Sequence, residues 1–276
     1  MTLTVVRSLG LVTIQDLGRP GHMHLALPPG GALVRGALIA ANRAAGNPDD
    51  VPAIEILGRL TVRADSDTPL ALSPDASLSA SPRLLRTGDE LTISSEPHRA
   101  AYLALTGGIA APLLFGGRGA HLSAGLGALL RAGDRLSPAV PTPPAPPPSP
   151  AGFASPPASP PSSPPLIHVL AGPDLDAFDA SALSTLTSAP YRILPTSDRV
   201  GTRLAGPTLP RLPDHPERSR PMVRGALEVP RDGAPIVLGP EHPTTGGYPI
   251  LAVIRHADLD AFFSVRLGGD VRFATA

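Results

Sequence analysis

The chain has 276 residues and is 42% hydrophobic but only 3% aromatic, with no Trp, so its core must be built from Leu, Val, Ile and Ala. The 23 basic residues balance 23 acidic ones, and zero formal charge provides no long-range field to gather nucleic acid or a membrane surface. Cysteine is absent and every basic side chain is Arg, which excludes disulfides, thiolate metal sites, a Walker-type Lys, Schiff-base catalysis and covalent biotin on this chain.

The N-terminal MTLTVVRSLG lacks a charged segment followed by a long apolar run, and no later stretch reaches membrane-spanning length. A soluble, cytoplasmic protein is expected. Short β-branched runs predict strands at Thr2–Val6, Ala53–Leu57, Leu91–Ile93, Ala101–Thr106, Leu166–Leu170, Pro235–Leu238 and Ile250–Ile254. Apolar residues at helical spacing predict a helix over Leu33–Ala45, stopped by Gly46-Asn47-Pro48, and a second over Leu175–Leu186. The Pro-rich stretch Ser137–Pro165 can join neither helix nor sheet and is expected to be a disordered tether. It divides the chain into 1–136, a linker over 137–165, and 166–276. The fold class expected is mostly β, with two barrel-like subdomains and few short helices. Gln15–Arg19 echoes Ser197–Gly201, and Thr106-Gly107-Gly108 echoes Thr245-Gly246-Gly247, which suggests a duplicated barrel.

Three segments carry candidate chemistry. Gln15-Asp16-Leu17-Gly18-Arg19 sets an amide, a carboxylate and a guanidinium close together, either as an anion site or as a turn held by Asp16. Asp198-Arg199 with Arg203 reads as an anion clamp or as a surface ion pair. Glu241-His242-Pro243-Thr244-Thr245-Gly246-Gly247-Tyr248 reads as a donor-rich loop with Glu241 and His242 as proton carriers, or as an ordinary connection. No metal site is predicted: His22 and His24 form the closest pair and have no third ligand.

The run Gly10–Gly21 resembles the opening signature of the biotin-dependent carboxyltransferase-like family, also called allophanate hydrolase subunit 2, which includes the C-type subunit of bacterial 5-oxoprolinase. Further matches follow in order at Ala41-Asn42, Gly46-Asn47-Pro48, Ala53-Ile54-Glu55-Ile56 and Tyr102-Leu103-Ala104 with Thr106–Ile109. Later ones are Ser197-Asp198-Arg199, Arg203-Leu204, Gly225–Pro230 and Thr244–Pro249. The resemblance covers the chain apart from the tether. It implies two cyclophilin-like barrels and one component of an ATP-dependent 5-oxoprolinase, working with A- and B-type subunits on a small lactam. ATP with Mg is implied for the complex. The catalytic roles it suggests fall on Asp16, Arg19, Asp198, Arg199, Arg203 and Glu241. Binding roles fall on Gln15, Asn42, Arg118, Glu228, Thr244, Thr245, Gly246, Gly247 and Tyr248. Two alternatives are a biotin-dependent carboxyltransferase component of the urea carboxylase kind and a non-catalytic partner of a B-type subunit. Departures from the family pattern motivate the latter: Gly30-Gly31-Ala32-Leu33-Val34 lacks a usual carboxylate, Gly116-Gly117-Arg118 lacks a hydroxyl, Glu228 replaces a usual Gln, and Gly58–Pro82 looks shortened.

Overall fold

The computed structural model describes residues 1–73, 80–140, 163–213 and 215–276. Most of the predicted tether, residues 141–162, lies outside the described residues. The chain forms two compact units, Met1–Arg19 with Gly30–Pro160, and Pro20–Pro29 with Pro161–Ala276. Both are dominated by strands, as the short β-branched runs predict.

In the first unit the elements are β1 (Leu3–Gln15), α1 (Arg35–Ala44), β2 (Ala53–Ala64), β3 (Thr68–Ser73), β4 (Ser81–Leu85), β5 (Glu90–Ser94), β6 (Ala101–Leu105) and β7 (Arg135–Leu136). They form a seven-stranded sheet in the order β4-β3-β6-β2-β1-β7, with β5 also on β2. Among the described residues this sheet has no ring-closing pair. Its core is aliphatic, with Leu3, Val12, Ile54, Ile56, Leu60, Val62 and Leu103 almost fully buried.

The predicted strand Thr2–Val6 is far longer in the structure, because β1 pairs antiparallel with β2 from Leu3 to Gln15. Gly10 is the reason it continues. It faces Gly58 across the ladder, and a Cβ on either would collide with the partner strand's backbone. Both take positive φ, +86° and +136°, which a side chain would resist. A residue that reads as a breaker is here the point where two strands meet closely.

The helix expected over Leu33–Ala45 is found as α1, which buries Ala37, Leu38, Ala41 and Asn42. Its start is capped from the sheet. The Leu33 N–H donates to Glu55 at 2.6 Å, the Tyr102 hydroxyl donates to the same Glu55 oxygen at 2.7 Å, and the Val34 N–H donates to Tyr102 at 2.8 Å. A carboxylate buried at the positive end of a helix meets donors that would otherwise be orphaned.

The second unit contains β8 (Leu166–Ala171), α2 (Ala182–Ser188), β9 (Tyr191–Ile193), β10 (Gly201–Ala205), β11 (Arg220–Pro221), β12 (Ala226–Glu228), β13 (Ile236–Leu238), β14 (Thr245–Gly246), β15 (Ile250–Ile254), α3 (Leu259–Ser264) and β16 (Asp270–Thr275). Seven of these strands close a barrel in the order β10-β13-β12-β15-β8-β16-β9. Thr202, Val237, Leu227 and Ala252 share one register row and are fully buried on its inner side. Phe262, Phe263, Phe273 and Tyr191 pack edge-on or tilted within the same unit.

The single helix expected over Leu175–Leu186 is broken. A 3-10 turn covers Leu175–Ala177, and α2 begins only at Ala182. Between them Asp179 accepts from the Ser181 N–H at 2.8 Å and hydroxyl at 2.6 Å, a local turn that outcompetes the helix. The glycine echo also fails as a conformational repeat. Gly107 and Gly108 take positive φ, whereas Gly246 and Gly247 do not.

Candidate functional site

In the first unit the signature segment caps the end of β1. Gln15 is fully buried and donates to the Ala120 carbonyl at 3.0 Å and to Thr13 at 3.1 Å. Asp16 accepts from the Gly18 N–H at 2.8 Å and from the Arg118 N–H at 2.5 Å. Arg19 is 1% exposed and donates to the carbonyls of Leu114, at 3.3 Å, and Gly119. Gly119 must stay small, since its Cβ would stand 2.8 Å from oxygens of both Asp16 and Gln15. The segment therefore ties β1 to the 111–121 loop. Arg118 itself is exposed and donates to the Ala111 carbonyl.

Asn42 is likewise committed. Its amide donates to Val51 at 2.8 Å and accepts from Asn47, whose amide donates to the Leu105 carbonyl at 2.7 Å. The Gly46-Asn47-Pro48 motif thereby fastens the end of α1 to β6.

The second unit arranges its charges differently. Arg199 and Glu241 are a buried ion pair at 2.6 Å, and the Glu241 N–H also donates to the Arg199 carbonyl at 3.0 Å. Gly239 permits this approach, because a Cβ there would collide with that carbonyl. Asp198 is exposed and one of its oxygens accepts from the N–H groups of Val200 and Gly201, both at 2.9 Å, which shapes the turn into β10. The neighbouring His242 is buried, and burial lowers its pKa below the ordinary value, so it is neutral at pH 7.

Arg203 and Glu228 both sit opposite Ile236, one on each neighbouring strand, so the three share the outer face of the barrel. Arg203 is exposed, while Glu228 is only 8% exposed. Burial raises the Glu228 carboxyl to about 7, against the opposing pull of the Arg203 guanidinium. A carboxyl poised at neutrality beside an accessible cation is suited to proton transfer.

The Thr244–Tyr248 segment is a short ribbon rather than a free loop. Thr245 pairs with Pro221 and Gly246 with Arg220, and the Met222 N–H donates to the Thr244 carbonyl at 3.0 Å. Met222 packs with Ala226, Leu238 and Ile250, which seats the ribbon on the barrel. Gly246 lies tightly over Met222, but a Cβ on Gly247 would meet nothing within 4 Å. Tyr248 is 43% exposed.

That free space belongs to a shallow pocket of about 170 Å³, including its open mouth, lined by Asp174, His215, Arg218, Arg220, Gly247 and Pro249. Of these Gly247 and Pro249 belong to a segment that stands out in the sequence. The signal available for the rest was the basic run Arg211–Arg220, RLPDHPERSR, whose arginines lie two apart at Arg218 and Arg220.

No group of three or more His, Asp or Glu is placed to hold a metal ion among the described residues. Among those residues, too, no helix is long and apolar enough to cross a membrane.

Known proteins with similar sequences and folds place this arrangement. The Escherichia coli (strain K12) protein named as the C-type subunit of 5-oxoprolinase is 32% identical over 286 residues, covering 98% of this chain and 90% of that one. The Haemophilus influenzae protein of the same name is 31% identical, covering 95% of this chain and 87% of its own length. Urea amidolyase of Lachancea kluyveri is 27% identical over 95% of this chain, which spans only 16% of that enzyme. Among solved structures, TTHA0988 superposes with a TM-score of 0.84 at 27% identity over 99% of this chain, which spans 55% of the TTHA0988 chain. The sequence profile of the carboxyltransferase domain, subdomain A and B, matches residues 25–275, and the chain belongs to that family.

Proposed function

We propose that the chain is the C-type subunit of an ATP-dependent 5-oxoprolinase, acting in the cytoplasm with A- and B-type subunits to open the lactam of 5-oxoproline to glutamate. The observation that carries this reading is the nearly end-to-end similarity, 98% of this chain and 90% of the relative, to a protein named for that role in 5-oxoprolinase. The outer face of the second unit's barrel supports it chemically, with an exposed Arg203 beside a buried Glu228 whose carboxyl titrates at about 7.

An amide resists hydrolysis, and a phosphoryl group on its oxygen makes the carbonyl carbon attackable. The nucleotide supplies that group. The residues of this chain fit it through guanidinium and N–H donors, which match phosphoryl oxygens without a lysine. The cation that accompanies the nucleotide, Mg²⁺, is held by one or two carboxylates and the phosphates themselves, and is proposed at the level of the assembled complex. In this reading Arg203 stabilises charge on the transferring group and Glu228 moves a proton near neutrality. The buried Arg199–Glu241 pair holds the turn that presents Arg203.

Reconstitution with the A- and B-type subunits tests the proposal by glutamate release from 5-oxoproline. Omission of this chain should abolish product, and Arg203→Ala should cut the rate at least about tenfold, the loss of one charge-stabilising donor. Product formed at an undiminished rate without the chain would refute it.

The likeness to urea amidolyase favours a second reading, a carboxyltransferase component that receives biotin from a partner, since this chain has no Lys to carry it. Carboxylate transfer from a biotinylated carrier protein, absent with the unbiotinylated carrier, would decide for it.

A further inference from the structure

The pocket beside Gly247 has a chemistry that neither the signature segments nor the proposed reaction accounts for. One wall is the Asp174–Arg220 ion pair. Both Asp174 oxygens are engaged, one by Arg220 and the other by the Ile250 N–H at 2.9 Å. Asp174 is 3% exposed, so this wall is fixed rather than mobile. Arg220 meets Asp174 through Nη2 and stays partly exposed at the pocket wall.

Arg218 lines the same pocket, and the carboxylate nearest it in sequence is held elsewhere. Glu217 pairs with Arg211 at 3.0 Å and with Arg231 at 3.5 Å. His215 pairs through Nε2 with Asp176 at 3.4 Å, while its Nδ1 is buried with no hydrogen-bond partner. Setting His215 and its partner Asp176 aside, the lining carries one net positive charge from two arginines and one aspartate. That balance suits a monoanion. A phosphate dianion would be repelled by Asp174 and left under-neutralised. The pocket is shallow and open to solvent, so it can receive the carboxylate of a ligand whose remainder stays outside it. Gly247 supplies the floor, where the absence of a side chain keeps the space open.

We propose that this pocket is a carboxylate-binding site for a small organic acid, with Arg218 and Arg220 as donors and Gly247 as the floor. Naming 5-oxoproline as that acid rests on the function proposed above; the site itself does not. Calorimetric titration of the full chain with 5-oxoproline, its neutral ring analogue pyrrolidin-2-one, acetate and inorganic phosphate tests both parts.

Saturable binding of 5-oxoproline, at least about tenfold tighter than pyrrolidin-2-one or phosphate, is expected from a bidentate charge-assisted contact. Arg218→Ala should weaken it about tenfold or more. Gly247→Glu, which places a carboxylate in the open floor, should abolish it. Both positions are on the surface of the pocket, and thermal unfolding of each variant is expected to match the parent. Binding unchanged in both variants would remove the pocket while leaving the proposed reaction standing. Tighter binding of phosphate would overturn the carboxylate assignment. Acetate binding that depends on Arg218, with no binding of 5-oxoproline, would uphold the site and count against the 5-oxoprolinase reading.

Discussion

Two arginine-bearing turns, one in each unit, dispose of their charge in opposite ways. In the first unit Arg19 is buried and its donors reach the Leu114 and Gly119 carbonyls, while Asp16 gathers the N–H groups of Gly18 and Arg118. In the second unit the buried Arg199 answers Glu241, and four residues further on Arg203 stays in solvent beside Glu228. A guanidinium whose fork is taken up by carbonyls of its own fold can shape a loop but has little left for a ligand. One that is exposed next to a destabilised carboxylate retains its reactivity. The same residue types at similar spacing therefore mark scaffold in one place and candidate chemistry in the other.

The sharpest way to break this contrast is to remove the buried cations. Arg199→Ala leaves Glu241 as an uncompensated buried charge and is expected to cost about 3–5 kcal/mol in urea unfolding. Arg19→Ala strips two carbonyls of a charged donor and should cost about 3 kcal/mol. If Arg19→Ala instead leaves stability intact and lowers activity in the reconstituted complex, the first turn is not scaffold.

Glu228 gives an effect of opposite sign. Its folded pKa, about 7, lies above the ordinary 4.5. The native state therefore holds the proton more tightly, and stability should fall as pH rises from about 4.5 to about 7, then level off. Allowing for residual hydration, the loss is about 2 kcal/mol. Glu228→Gln should erase the slope and raise stability by that amount at pH 8, read from unfolding midpoints across the pH range. Smallest in stability is Arg203→Ala, expected within about 0.5 kcal/mol of the parent because the side chain is exposed. An unfolding cost rivalling that of Arg19→Ala would erase the distinction between the two turns.

Much of the fold was legible where a local pattern and the tertiary structure agree. The 3.6-residue apolar spacing of Leu33–Ala45 located α1 because its buried face is continuous in sequence. Elsewhere the deciding partner was distant. Gly10 reads as an interruption until Gly58 is set against it, and the break before α2 depends on Asp179 preferring its own turn to a helix. The matched Glu55 and Tyr102 accept from the Leu33 and Val34 N–H groups just before α1, a tie between distant stretches of chain. The pocket was out of reach for the same reason, since Asp174, Arg218 and Gly247 come from three separate stretches of chain. Spacing in sequence reveals which side chains lie on one element. It does not reveal which elements fold back to share a wall.

The barrel of the second unit closes through β16, which runs parallel to β8 and antiparallel to β9. Its earliest and latest strands are thus direct neighbours. During synthesis, β8 and β9 must leave the ribosome with open edges and wait for Asp270–Thr275 to emerge before either is covered. Closure of this barrel therefore rests on a contact remote in sequence, of the kind that forms late in folding.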